Sequence, residues 1–237
     1  MSRLEIDFDG DYGRSYDATI RTLIPAYEAI MEIAAASLRA LVPEASTVLV
    51  VGAGSGSELP PMLAALPQAH FSLVEPSGQM RSFCQRVIAA AQAVDRVQWG
   101  PERLEPDQSW GHEAFDVVVS HNVLHLMPPS EQQDLLMLML ACIRPGGLLL
   151  LSSYSEPDDP QLLQRVQAIA TARFAAAGLT AERIAAVLAS RNNGVFSLDQ
   201  DALDQALERS GMEPTTLLAQ ALLNRLWCSR KPKAAAS

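Results

Sequence analysis

The residues best suited to acid–base chemistry are two histidines, His121 and His125, within the stretch FDVVVSHNVLHLM at 115–127. An imidazole changes charge near neutral pH and can take a proton from a reacting group. The alternative is that His125 packs beside a bound ligand and that His121 makes only a backbone contact. A spacing of four residues also suits a metal pair on a helix, but the sequence offers no third ligand, so we expect no metal site.

A glycine-rich loop is the second candidate for chemistry. The stretch VLVVGAGSGSELPPML at 48–63 contains Gly52, Gly54 and Gly56. Dinucleotide-binding loops have the spacing G-x-G-x-x-G and hold a pyrophosphate at the start of a helix. Here the spacing is G-x-G-x-G, and we expect Glu58 in the first helical turn, where a carboxylate complements the helix dipole and repels a diphosphate. The loop therefore favours a phosphate-free nucleoside with an amino-acid tail.

A single carboxylate, Glu75, ends the next apolar run, HFSLVEP at 70–76. A carboxylate at the tip of the strand after a glycine loop can accept hydrogen bonds from both hydroxyls of a ribose. We therefore predict that Glu75 binds the sugar of the nucleoside.

The elements that position these residues follow from the alternation of apolar runs with helical patterns. This alternation predicts a parallel sheet with right-handed crossovers, and the C-terminal segment predicts an antiparallel pair of strands. Two helices are expected to be inserted after Tyr154. Residues 1–20 are expected to form an irregular arm, followed by a helix after Pro25 and, later, a helix capped by Ser57.

Charge and composition limit the classes of partner. The net charge is −9, from 18 basic and 27 acidic residues, which argues against a nucleic-acid substrate. No apolar run reaches the roughly 18 residues of a membrane span, and the polar N-terminus does not resemble a secretory signal. The three cysteines are far apart and predict reduced core thiols. We therefore expect a cytoplasmic protein that acts on a small molecule.

Four motifs, taken in order, resemble those of class I S-adenosylmethionine (SAM) methyltransferases: VLVVGAGSG, LVEPSGQM, FDVVVSHNVLHLM and IRPGGLLLLSSYSE. The resemblance covers about residues 45–155, and it implies SAM as cofactor. It also implies an α/β, Rossmann-like, doubly wound, mostly parallel seven-stranded sheet with an antiparallel last strand and a small helical lid. The implied division is an arm and helix covering the site at 1–44, a SAM-binding core at 45–155 and 195–231, and a lid at 156–194.

Within that superfamily, IRTLIPAYEAI and LMPPSEQQDLL are most similar to carboxy-SAM synthase of tRNA wobble-uridine modification. The resemblance implies cofactor contacts by Tyr27, Gly52, Ala53, Gly54, Gly56, Glu75, Pro76, Met80, Pro101, Glu102 and His121. The expected acceptor-site residues are Tyr12, Tyr16, Tyr154 and Arg173. The alternatives for these last four residues are an arm that only packs and a helix face in solvent.

One departure from that branch concerns its carboxylate-reading arginine. By the resemblance it should fall near Leu188, and Arg191 is the nearest candidate. Because an aliphatic side chain cannot bind a carboxylate, we expect ordinary SAM and methyl transfer to a small-molecule acceptor. A carboxy-SAM synthase-like or other non-methylating reaction, a non-catalytic SAM-binding module and a Rossmann-like domain with a different site remain alternatives. The resemblance also makes a homodimer plausible.

Overall fold

The computed structural model describes residues 6–106 and 110–233. The strands are β1 (Thr47–Val51), β2 (His70–Val74), β3 (Val97–Trp99), β4 (Phe115–His121), β5 (Ile143–Tyr154), β6 (Thr216–Ala221) and β7 (Asn224–Arg230). The helices are α1 (Asp11–Leu23), α2 (Tyr27–Leu41), α3 (Leu59–Ala65), α4 (Gly78–Ala90), α5 (Pro129–Ala141), α6 (Pro160–Ala176), α7 (Ala181–Ala189) and α8 (Gln200–Arg209).

The seven strands form one sheet in the order β3-β2-β1-β4-β5-β7-β6. Strands β1 to β5 are parallel, and β7 is antiparallel to both of its neighbours. The residues of β1 and β4 are almost all buried, as expected for strands covered on both faces by helices. The predicted α/β fold with an antiparallel last strand is confirmed.

The chain order of the strands reverses around β1, which has β2 on one side and β4 on the other. In open α/β sheets, ligands bind at the carboxyl ends of the strands beside such a reversal. The loops after β1, β2 and β4 meet there, and they carry the glycines, Glu75 and the two histidines.

The N-terminal segment differs from the prediction. Residues 11–23 are helical rather than irregular, and α1 buries Ile20 against the core. Pro25 separates α1 from α2 because a proline disfavours the helical conformation of the preceding residue, and Ile24 is extended. Ala26 then adopts a positive φ of 55° before α2 begins. The polar composition of α1 concealed its amphipathic pattern from sequence reasoning.

The boundaries of β4 and β5 set the position of the two histidines. Strand β4 ends at His121 and is followed by a short 3₁₀ turn at Leu124–Leu126, while β5 begins at Ile143. The prediction that Ser57 caps α3 is wrong. Glu58 is the residue before the helix, and the Ser57 hydroxyl instead pairs with Tyr27 at 3.1 Å.

The core contains three free thiols, Cys84, Cys142 and Cys228, all buried. The prediction of reduced core cysteines agrees with this arrangement. Among the helices of the described segments, none combines the length and apolar character needed to cross a bilayer.

Candidate active site

Glu75 joins the glycine loop to the loop after β2. Its Oε2 accepts a hydrogen bond from the Gly54 N–H at 2.9 Å, and its Oε1 accepts one from the Ser77 N–H at 2.9 Å. Burial raises the pKa of Glu75 above its usual range, and the two N–H groups oppose that shift. Each carboxylate oxygen has a further lone pair, so the group is suited to accept two more hydrogen bonds from vicinal hydroxyls.

The three loop glycines serve different purposes, and each has a positive φ. A Cβ on Gly52 would lie 2.2 Å from a methyl carbon of Val123, and one on Gly56 would lie 2.8 Å from the Cys84 sulfur. These two glycines therefore let neighbouring segments approach the loop. A Cβ on Gly54 would meet nothing closer than a Met80 methyl at 3.7 Å. A side chain at Gly54 would therefore make only ordinary van der Waals contact, so it is the positive φ of 51° that favours glycine there.

The segment around α1 lies against both loops of this crevice, which we define by residues 52–56, 75–80 and 121. Asp9 accepts hydrogen bonds from the Ser77 hydroxyl at 2.8 Å and from the Gln79 N–H at 2.9 Å. Asp17 of α1 accepts one from the Ser55 hydroxyl at 2.6 Å. Asp9 and α1 therefore contact both loops that border the crevice.

Tyr27 and Glu58 lie beside the loop. Both are buried, and the Tyr27 hydroxyl bonds to Ser57. Burial, and then the charge of Glu75, raises the pKa of Glu58 to about 8, so this carboxyl is largely protonated at neutral pH. The prediction that Glu58 lies in the first helical turn is wrong, since it is the residue before α3, and its burial disfavours the charged form.

Four more of the predicted cofactor contacts follow β2 and β3 in the chain. Pro76 is exposed, Pro101 is half-buried, and Met80 is buried in α4. Glu102 is exposed, with its Oε1 3.8 Å from an Arg81 nitrogen. The structure thus brings Pro76, Met80 and Pro101 to the same edge of the sheet, while Glu102 is engaged with a surface arginine.

His121 is the last residue of β4 and is buried. Its Nδ1 lies 2.9 Å from the Ser152 hydroxyl oxygen, and its Nε2 has no hydrogen-bond partner in the described part of the chain. Burial lowers the pKa of His121 to about 4, so the ring is neutral at physiological pH. His121 therefore ends β4 with a buried ring nitrogen that no described residue pairs.

His125 lies in the 3₁₀ turn after β4. Its carbonyl accepts a hydrogen bond from the Phe196 N–H at 2.8 Å, while its Nδ1 is buried without a partner in the segments described. Burial lowers the pKa of His125 to about 4. Neutral imidazole is the form that can accept a proton, although a pKa this low makes it a weak base.

A second space, which we call the acceptor cavity, lies between α1, α6, α7, His125 and the β6–β7 turn, with a volume of about 590 Å³. Most of its wall is apolar, with polar groups at a few points. Of the predicted acceptor-site and catalytic residues, Tyr12, Tyr154 and His125 line it. None of the crevice residues lines the cavity, while α1 contacts the glycine loop through Asp17 and borders the cavity through Ile20 and Leu23.

Tyr16 and Arg173 do not line the cavity but support its walls. Tyr16 packs edge-on against Phe8 and Tyr12, with ring centres 5.7 and 6.2 Å apart. The Arg173 guanidinium donates hydrogen bonds to the carbonyls of Thr22 and Arg21, which ties α6 to the end of α1. The structure therefore places these two residues in supporting positions.

A chain of polar groups that sequence reasoning missed closes one side of the cavity. The Tyr154 hydroxyl donates to the Glu156 carboxylate, which also accepts from Arg191, with Nη2 and Oε2 2.6 Å apart. Burial acts to raise the pKa of Glu156, but the bonds from Arg191 and Tyr154 outweigh it and lower the pKa. Because Glu156 occupies Arg191, that arginine is not free to bind a ligand carboxylate. Leu188 lines the cavity but offers no charge.

Metal ligation finds no support in the observed geometry. Within 6–106 and 110–233, no three His, Cys, Asp or Glu side chains are grouped so that they could hold an ion. The two histidines are on a strand end and a 3₁₀ turn, rather than on one face of a helix.

Residues 49–149 match a family model described as a methyltransferase domain. That range includes the glycine loop, Glu75 and both histidines. No curated protein matches the sequence of this chain.

The fold is similar to solved structures that are distant in sequence. An O-methyltransferase family protein from Burkholderia thailandensis superimposes with a TM-score of 0.70 at 17% identity, covering 94% of this chain and 61% of that protein. Mitomycin 7-O-methyltransferase gives 0.61 at 18% identity, covering 94% and 59%. The fold is that of class I SAM-dependent methyltransferases. This chain spans about three fifths of the length of these two proteins.

A similar structure of matching length is magnesium protoporphyrin IX methyltransferase from Synechocystis, which was determined with bound S-adenosylhomocysteine. It gives a TM-score of 0.65 at 14% identity and covers 94% of this chain and 96% of that one. The methyltransferase domain and its fold support SAM as the cofactor. They do not distinguish the carboxy-SAM synthase branch.

Proposed function

We propose that this protein is a SAM-dependent methyltransferase that acts on a small, largely apolar acceptor. The proposal is carried by one observation: the N-terminal segment contacts two candidate binding sites. One is the crevice built around Glu75 and the glycine loop, and the other is a largely apolar cavity. A binding module without turnover would need only the first of these spaces.

The residues of the crevice fit SAM by their chemistry. Glu75 accepts the ribose hydroxyls, Gly52, Ala53 and Gly54 leave room for the backbone of the ligand, and Pro76 and Met80 flank the adenine. Tyr27 and the loop before α3 border the methionine end. When bound, SAM supplies a methyl group on a positively charged sulfur. Exclusion of water by the N-terminal segment protects that group and strengthens the electrostatics around it.

In the acceptor cavity, we propose that His125 and Tyr154 orient the acceptor. Both border the cavity, and each can exchange a hydrogen bond with a hydroxyl or amine. Methyl transfer depends mainly on placing the nucleophile in line with the sulfur at short range. Because burial keeps the pKa of His125 near 4, we assign it to orientation first and to proton removal second.

The carboxy-SAM alternative requires a cation for the extra carboxylate. The candidate that the resemblance points to, Arg191, would have to leave Glu156 to provide it, so we propose methyl transfer instead. The homodimer, the cytoplasmic location and the three-part division of the chain stay predictions from the sequence.

The test has two stages. Isothermal titration calorimetry with SAM and with S-adenosylhomocysteine measures binding to the crevice. Incubation with SAM and pools of small phenols, carboxylic acids and amines, followed by mass spectrometry, then detects a methylated product. Binding of neither ligand at neutral pH would refute the cofactor assignment, and binding without any methylated product would favour the binding module.

A further inference from the structure

Glu58 is a buried carboxyl without a full set of partners. Its residue is 6% exposed, and its Oε1 has no hydrogen-bond partner in the part of the chain that the structure describes. It follows the glycine loop directly, at the residue before α3. Buried polar atoms are nearly always paired, so an unpaired one beside a proposed ligand crevice needs an explanation.

The surroundings of Glu58 contain no compensating positive charge. The ionisable groups that interact with it come from α1, α2, α4 and the end of β2, and all are neutral or acidic. They are Tyr16, Tyr27, Glu75 and Cys84.

The basic residues nearest to this cluster are already engaged. Arg21 pairs with Glu28 and lies over the ring of Tyr27, 5.4 Å from its centre. Arg81 pairs with Glu102 on the outer side of α4. The site therefore has an excess of acceptors and lacks a cation.

Resting on the function proposed above, we infer that Glu58 is the counter-ion for the positive charge that SAM brings into the crevice, and that its proton leaves for solvent when SAM binds. SAM carries a sulfonium and an ammonium group. In the ligand-free protein, burial keeps the Glu58 O–H bond intact at neutral pH. A bound cation favours the carboxylate, so the O–H bond breaks, its electron pair stays on the oxygen, and the buffer takes the proton.

This exchange makes SAM affinity depend on pH. Below the pKa of about 8 that Glu58 has without ligand, each SAM bound must release a proton. Linkage then gives an affinity that rises by at most about tenfold per pH unit between pH 6 and pH 8. The α-amino group of SAM also titrates, and the comparison with Glu58→Gln subtracts its contribution. Because the charges of Glu58 and Glu75 repel each other, the difference between the two proteins reports the protons of this coupled pair.

The experiment is calorimetric titration of SAM at pH 7 in two buffers of different ionisation enthalpy, which gives the number of protons released. Wild type is compared with Glu58→Gln, which keeps the shape but cannot ionise, and with Glu32→Gln as a control on the exposed face of α2. We expect wild type and Glu32→Gln to release nearly one proton more than Glu58→Gln. The affinity of Glu58→Gln should also vary less with pH.

A second ligand keeps the test independent of the variant. 5′-Methylthioadenosine has neither the sulfonium nor the ammonium charge, so its binding to wild type should release no proton from Glu58. Equal proton release by wild type and Glu58→Gln, or equal release by wild type with both ligands, would overturn the inference. In either case, binding of SAM itself would still support the proposed function. Failure of wild type to bind SAM at any pH would instead overturn the proposed function.

Discussion

The substitution Glu75→Gln tests the cofactor crevice most directly. In the structure the two carboxylate oxygens accept the N–H groups of Gly54 and Ser77, both at 2.9 Å, and each has a lone pair left for a ribose hydroxyl. Glutamine replaces one of those oxygens with an NH₂ group. One backbone N–H then faces another donor, and one ribose hydroxyl loses its charged acceptor.

The size of the effect follows from the bonds that change. A hydrogen bond to a charged group contributes about 1.5–3 kcal/mol, so the loss of one such bond to the ligand weakens binding by about 10- to 150-fold. The orphaned backbone N–H also lowers the stability of the free protein, which should appear as a lower thermal midpoint.

The assay is calorimetric titration of S-adenosylhomocysteine at pH 7.5, with circular dichroism to confirm that the variant is folded. Glu44→Gln is the matched control, since Glu44 is exposed and precedes β1 on the opposite side of the sheet from the crevice. A folded Glu75→Gln protein whose dissociation constant stayed within about twofold of wild type would refute the assignment of Glu75 to the ribose.

Three further predictions concern packing, the cavity and pH. Gly56→Ala should destabilise the fold by about 1–3 kcal/mol in urea unfolding, because the new Cβ would lie 2.8 Å from the Cys84 sulfur. Gly178→Ala is the control, since Gly178 also has a positive φ but a Cβ there would meet no atom within 4 Å. An equal loss of stability in both variants would contradict the packing argument. Arg191→Met should reduce methylation of an identified acceptor without changing SAM affinity, since Arg191 lines the acceptor cavity and not the crevice. A matching loss of SAM affinity would contradict the assignment of acceptor and cofactor to different sites. The pKa of His125 is about 4 in the folded protein and about 6.5 in an unfolded chain. Below pH 6.5 the unfolded state therefore takes up a proton that the folded state does not. The free energy of unfolding then falls as the pH drops towards 4, by up to about 1.4 kcal/mol per pH unit. His125→Gln should remove that component from urea unfolding measured at pH 7, 6 and 5, and an unchanged pH profile in this variant would be inconsistent with a buried neutral ring.

The sheet and the crevice could be predicted because their signals are local. Val48 to Val51 form a continuous apolar run, which suits a strand buried on both faces, and the glycines follow at once. The position of Glu75 relative to that loop is set by the crossover through α3, which brings the end of β2 beside the end of β1. Short-range patterns were therefore enough to identify this edge of the sheet.

The features that were missed depend on contacts between distant segments. Nothing near Glu58 in the sequence indicates that α1 and α2 bury it, so its charge could not be judged. The pairing of Glu156 with Arg191 joins the end of β5 to the end of α7, and neither residue has a local pattern that requires it. The helical state of α1 was concealed for a similar reason, since its apolar face is short and is stabilised by packing against the core.

The position of the N-terminal segment has a thermodynamic consequence. Asp17 holds the glycine loop from α1, and Ile20 and Leu23 of the same helix border the acceptor cavity. When one ligand orders this helix, the conformational entropy lost there does not have to be lost again when the other binds. The two ligands should therefore bind with positive cooperativity, and the coupling must be the same in both directions.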